Sequence, residues 1–180
     1  MSFRLGSLDK FFLKSIPTRR GTTWFSTTAI KTAKAAWHSL TGNPLSISKK
    51  GLTNEAYYWG YHRADYGYTL PVARFKNITY SQISSDAVLV NLLNQIQNFT
   101  EINTPTLRNN LKTLNRNIRN KLPIDVLTYT YTYKPLVGIT SETDPSGRTI
   151  FYEYDDSGRL KCIKDDDGNI LKDYEYNYKN

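Results

Sequence analysis

The sequence predicts an α+β fold: antiparallel β-hairpin repeats forming an open sheet, with an intervening helix-loop-helix. Three observations carry this. Paired tyrosines recur near the end of the chain, where Tyr133, Tyr154 and Tyr176 are spaced by 21 and 22 residues. Acid-glycine turn signals interleave with them, at Asp144-Pro145-Ser146-Gly147, Asp156-Ser157-Gly158 and Asp167-Gly168-Asn169. Between residues 84 and 123, two apolar stripes at helical spacing each follow a capping side chain.

The last segment, 124–180, is the most informative. Asp144 to Asp165 and Gly147 to Gly168 each span 21 residues, and a fixed period of that length marks stacked supersecondary units. Short alternating strands are expected near 126–133, 137–143, 148–154, 159–164 and 169–178. In the last of these Tyr174, Tyr176 and Tyr178 share one face. Such a sheet leaves an unpaired edge after Tyr178 and offers a second before Val126, so self-association through sheet edges is expected.

The helical pair, 84–123, starts at Ser84, Ser85 and Asp86. Val88, Leu89, Leu92, Leu93, Ile96 and Phe99 form its first stripe. Asn103 and Thr104 precede Pro105, a favoured first helical residue. Leu107, Leu111, Leu114, Ile118 and Leu122 form the second stripe, and Pro123 stops it. Arg108, Lys112, Arg116, Arg119 and Lys121 give the second helix a basic face. Read blandly, that face is solvated; read sharply, it is a phosphate-binding ridge.

The β-rich segment, 42–83, opens on Gly42-Asn43-Pro44, a turn. Strands are expected at 45–48, 56–61 and 70–75, with Pro71 near the start of the third. The aromatic run Tyr57-Tyr58-Trp59-Gly60-Tyr61 suits a core better than a sugar grip. The basic segment, 1–41, lacks the apolar region and cleavage site of a signal peptide. Within it, residues 29–40 place Ile30, Ala33, Trp37 and Leu40 at helical spacing, which predicts an amphipathic helix that docks on the rest of the chain or touches a membrane or nucleic acid.

Charge is uneven. The formal net charge is +8, made of +8 over residues 1–52, +4 over 53–124 and −4 over 125–180. A nucleic-acid-binding module built on residues 1–52 and the second helix is therefore an alternative function. No apolar run is long enough for a transmembrane segment. One cysteine, Cys162, excludes an intrachain disulfide framework, and two histidines, His38 and His62, give metal or acid-base chemistry little material. Asp165-Asp166-Asp167-Gly168-Asn169 fails the EF-hand register at Ile163 and Tyr174. No catalytic residue, cofactor site or metal site is expected.

The pattern Gly147…Tyr152-Glu153-Tyr154-Asp155…Gly158-Arg159-Leu160…Asp167-Gly168-Asn169 resembles the YD repeat of the RHS (rearrangement hotspot) proteins. A further unit runs from Gly168 to Tyr174-Glu175-Tyr176, where Asn177 replaces the aspartate. Tyr131-Thr132-Tyr133-Lys134-Pro135-Leu136-Val137-Gly138 is similar to the last repeats of large RHS-like proteins of Bacteroidetes. The segment from Gly42 through Tyr58, Trp59 and Pro71 to Tyr80 is similar to the region upstream of them. The resemblance implies a non-catalytic structural or ligand-binding segment of a secreted or cell-surface protein, partnered by the remainder of a larger repeat protein and by carbohydrate. On that implication, Tyr152, Tyr154, Tyr174 and Tyr176 are the candidate ligand-binding residues.

Overall fold

The computed structural model describes residues 33–38, 41–49, 53–62 and 69–177. The expectations placed on residues 1–32 lie outside them. Among the described residues nine antiparallel strands follow one another in chain order and form one open sheet, β1 to β9. These are β1 (Ala33–Trp37), β2 (Pro44–Lys49), β3 (Glu55–Gly60), β4 (Leu70–Lys76), β5 (Leu127–Lys134), β6 (Gly138–Thr143), β7 (Thr149–Tyr154), β8 (Leu160–Lys164) and β9 (Ile170–Asp173). Three helices interrupt the order between β4 and β5: α1 (Tyr80–Ser84), α2 (Ala87–Ile96) and α3 (Pro105–Asn120).

The helix starts follow from their caps. Asp86 accepts from the backbone N–H groups of Val88 and Leu89 at 2.9 and 3.0 Å, satisfying two donors that have no helical partner. Thr104 accepts from Leu107 N–H at 3.2 Å ahead of Pro105. The short α1 carries a capping box between Thr79 and Gln82. In α2, Leu89, Leu93 and Ile96 are buried while Val88 stays exposed; in α3, Leu111, Leu114 and Ile118 are buried. All of these but Leu111 pack with Ile83 onto Ala56, Val72, Ala73 and Phe75 of β3 and β4. A second cluster joins Ile102 and Leu111 to Phe151 of β7.

Two expectations are corrected. Residues 33–37 form a strand rather than part of a helix: a hairpin closes them onto β2, with His38 N–H bonded to Asn43 C=O at 2.8 Å and Gly42 at φ 68°. The hairpin pairs the inner side of this edge strand with β2, and that tertiary pairing outweighs the helix preference of three alanines. The last strand stops at Asp173, so Tyr174 to Asn177 leave the ladder after one more bond, Tyr174 N–H to Lys161 C=O at 2.9 Å.

Three tight turns share one design. Asp144, Asp155 and Asp165 each bond through backbone N–H to the carbonyl four residues on, at 2.9, 2.8 and 2.9 Å. Each carboxylate accepts from that residue's N–H, at 3.1, 2.9 and 2.8 Å. The glycine before it, Gly147, Gly158 or Gly168, has φ of 92°, 74° or 92°. This is a three-residue hairpin loop with a left-handed third position. Gly147→Ala is therefore expected to cost about 1–3 kcal/mol, through the left-handed backbone and a Cβ 2.7 Å from Nη2 of Arg119. An unchanged urea midpoint would contradict the turn assignment.

Candidate ligand-binding face

A β-strand sends alternate side chains to opposite faces, so the register sorts the sheet into two surfaces. Ala73 lies opposite Thr130, Thr130 opposite Thr143, and Thr143 opposite Thr149. This face lies under the helices and is lined by hydroxyls. Asn115 of α3 donates to Thr143 Oγ1 at 2.9 Å and accepts from Thr130 Oγ1 at 3.0 Å. Thr143 pairs with Thr149 at 2.9 Å, and Thr132 with Thr140 and Ser141 at 2.8 and 2.6 Å. Thr-Tyr-Thr-Tyr thus divides by parity: Thr128, Thr130 and Thr132 are buried under the helices, and Tyr129 and Tyr131 go to the other side.

The opposite face is phenolic. Tyr57 lies opposite Arg74 and Arg74 opposite Tyr129. Tyr131 lies opposite Glu142 and Glu142 opposite Ile150. Tyr152 lies opposite Ile163 and Ile163 opposite Lys172. Arg74 bonds Glu55 at 2.8 Å, Glu55 accepts from the Tyr57 hydroxyl at 2.8 Å, and the guanidinium stands 5.5 Å from the Tyr129 ring. Trp59 lies 6.2 Å from Tyr57, ring to ring.

Burial, followed by bonding to Glu55, pushes the Tyr57 hydroxyl up to about 12. Burial and then the Glu142 charge do the same to Tyr131. Tyr61, buried beside Tyr133, is also raised to about 12. A phenol whose folded value exceeds its unfolded one stabilises the fold fully below the unfolded value and loses that contribution as pH climbs to the folded value. Stability is thus expected to fall between the ordinary value of 10.0 and about 12, with Tyr61 alone contributing roughly 2–3 kcal/mol of the fall. Tyr61→Phe should flatten this alkaline limb in denaturant titrations; an equally steep limb would contradict the assignment.

The four predicted tyrosines separate into two roles. Tyr154 reaches back across the sheet and donates to Ile139 C=O at 2.8 Å; Tyr176 donates to Leu160 C=O at 2.8 Å, 21 residues later. Gly138 leaves room for the Tyr154 hydroxyl, which a Cβ there would strike. At the matching place in the next unit, Arg159 sits 4.6 Å over the Tyr176 ring. These second tyrosines fasten each hairpin to the one before. The first tyrosines, Tyr152 and Tyr174, come close enough for the Tyr174 phenol to raise the Tyr152 hydroxyl, after burial and Glu142. Tyr57, Arg74, Tyr131 and Glu142 complete this surface. Of these, Tyr57 was expected in the core from its aromatic run, and Arg74, Tyr131 and Glu142 carried no expectation of a site, although parity along β5 was available to find Tyr131.

The geometry of the hairpins decides what they are. Three aspartate-headed turns alternate between the two ends of one ladder, and a tyrosine from each unit laps onto the unit before. Residues 138–170, from the start of β6 to the start of β9, match the RHS Repeat family. The chain carries an RHS repeat. No curated protein matches it.

The RHS repeat also receives the basic helix. Arg108 lies 5.9 Å from the Phe151 ring and against Gly168, Lys112 bridges Asp166 at 2.8 Å, and Arg119 lies against Gly147. Three of the four α3 cations thus meet the turns and core of the repeat, while Arg116 and the C-cap Lys121 are exposed. Cys162 is buried in β8, 3.5 Å from Glu153, and burial followed by that carboxylate pushes its thiol up. Among the described residues no group of metal-ligating side chains occurs and no helix is long and apolar enough to cross a membrane.

Proposed function

We propose that this chain is a non-catalytic structural segment of a larger RHS-repeat protein, displayed outside the cell, whose phenolic face contacts carbohydrate. The single observation that carries the structural part is the continuous ladder from β5 to β9, each hairpin tied to the last by a lapping tyrosine. The edge supports it too. Ile170 and Leu171 of β9 are 60% and 58% exposed, and an apolar edge strand invites another strand. A further hairpin in the parent protein, or the edge of a second copy, satisfies that need.

Sugar rings present apolar C–H faces that lie on aromatic rings, with hydroxyls that reach nearby charged groups. Tyr131, Tyr152 and Tyr174, with Glu142 between the first two, supply both. The nucleic-acid reading is less favoured, because Arg108, Lys112 and Arg119 already face the acidic turns.

Two measurements test the proposal. Sedimentation of the isolated chain should show concentration-dependent association that Leu171→Lys reduces; a monomer at every concentration contradicts the edge reading. A glycan array probed with the full chain should show sugar binding lost in Tyr152→Ala. Binding to no glycan contradicts the carbohydrate reading and leaves the structural one standing.

A further inference from the structure

The two edges of the sheet carry charge of opposite sign. Residues 33–49, which hold β1 and β2, contain Lys34 and Lys49 and no acid. Residues 165–177, which hold β9 and its flanks, contain Asp165, Asp166, Asp167, Asp173 and Glu175 against one cation, Lys172. Lys112 neutralises Asp166 at 2.8 Å, and the other four acids still outnumber Lys172. Both edges also expose apolar side chains. Ile170 and Leu171 stand out on β9, and Trp37 is 42% exposed on β1, beside Ala35 and Ala36. Among the described residues β1 has β2 alone beside it and β9 has β8 alone, so each leaves one row of backbone groups unpaired.

We infer that copies of this chain join head to tail, with the β9 edge of one seated on the β1 edge of the next. This inference rests on the edge reading above and names the partner, a second copy through its opposite edge. A two-fold pairing of β9 with β9 sets the acids of one copy against the same acids of the other, and like charges facing each other across strands destabilise the pair. A pairing of β1 with β1 brings lysines together and leaves Ile170 and Leu171 in water.

Strand direction agrees with this. In a sheet of nine antiparallel strands the first and the last run the same way. Joined with the helices of both copies on one side, β9 and the next β1 lie parallel, start beside start. The acidic turn ahead of β9 then comes beside Lys34, near the start of β1, and Lys49, at the end of β2. The slip of register at Leu171 does not bar β9 from a further neighbour. The register of β8 against β7 slips in the same way at Lys161, and β8 still takes β9 on its other side. A contact between two different edges does not use itself up, so growth continues past two copies.

The test is sedimentation of the full chain and of two edge variants, each compared with wild type by its denaturant midpoint. His38 N–H bonds across the hairpin to Asn43, so alternation along β1 sends the Ala35 N–H outward. Ala35→Pro therefore blocks the β1 edge and spares the β2 ladder. Leu171→Lys blocks the β9 edge. Wild type is expected to grow beyond two copies as concentration rises, and to associate about three- to tenfold more weakly at about 0.5 M salt than at about 0.05 M. Each variant alone should associate at least about tenfold more weakly than wild type. An equimolar mixture of the two should form a pair that stops at two copies, because each supplies the edge that the other lacks. If Ala35→Pro lowers the midpoint, Lys34→Glu, which leaves the backbone alone, takes its place. Wild type that stops at two copies, a β1 variant that associates as wild type does, a mixture no heavier than its parts, or association indifferent to salt overturns the head-to-tail assignment and leaves the edge reading standing. Wild type that stays monomeric at every concentration overturns both.

Discussion

Phe151→Ala is expected to lower the unfolding free energy by about 3–5 kcal/mol, the usual cost of emptying a large aromatic site in a packed core. Phe151 is 1% exposed and is the point where the RHS repeat meets the helical layer. Its ring lies against Ile102 and Leu111, with Phe99 and Leu107 around them and the Arg108 guanidinium 5.9 Å away. Removing it opens a void between β7 and α3 that rigid flanking elements cannot close. Its neighbour supplies the control. Ile150 projects from the same strand to the other face and is 39% exposed, so Ile150→Ala should cost under about 1 kcal/mol. The measurement is the denaturant midpoint of both variants. Equal losses would mean that the helices do not rest on this face of the repeat.

The second large effect is at Asn115, which is 2% exposed. Asn115→Ala removes the acceptor of the Thr130 hydroxyl and the donor to Thr143 in one step. The Thr130 hydroxyl is then left without its acceptor under the helix, while Thr143 keeps Thr149, so a loss of about 1–3 kcal/mol is expected. The cost belongs to the network rather than to the asparagine. Replacing the hydroxyls as well, in Asn115→Leu with Thr130→Val, Thr143→Val and Thr149→Val, should restore most of the lost stability, because matched apolar groups leave none of these partners unsatisfied. Additive losses across the four substitutions would show that the hydroxyl network does not couple α3 to the sheet.

Much of this fold was legible in the residues. The acid-glycine signals placed all three hairpin loops, since only glycine sits easily at the left-handed position; the capping carboxylates, however, are Asp155 and Asp165 rather than the Asp156 and Asp167 of the sequence signals. Asp86 and Thr104 marked the helix starts because a helix N-terminus needs a side-chain acceptor. What was not legible depends on distant partners. Ala33–Trp37 has the composition of a helix and becomes a strand through the hairpin that joins it to β2. Asn115 looks like one of five polar residues on a basic helix, and only the sheet beneath it makes it a core residue. The basic face of α3 read as solvated or phosphate-binding because nothing local reveals that Gly147 and Gly168, tens of residues away, come to lie under Arg119 and Arg108. Tyr154 and Tyr176 were candidate ligand contacts by residue type, whereas their hydroxyls are taken up in fastening one hairpin to the next. Helix α1, at five residues, is too short to show a period, and its only local mark is the Thr79–Gln82 box.

The central claim is that the tyrosine and aspartate period of the last fifty residues builds consecutive rungs of one antiparallel ladder. Cross-strand nuclear Overhauser contacts in the isotope-labelled full chain test it most directly. Contacts are predicted between Glu142 and Ile150, between Tyr152 and Ile163, and between Ile163 and Lys172, with slowly exchanging amides at Asp144, Asp155 and Asp165. Helical carbon shifts across 138–173, or absence of these three contacts in a folded sample, would contradict it.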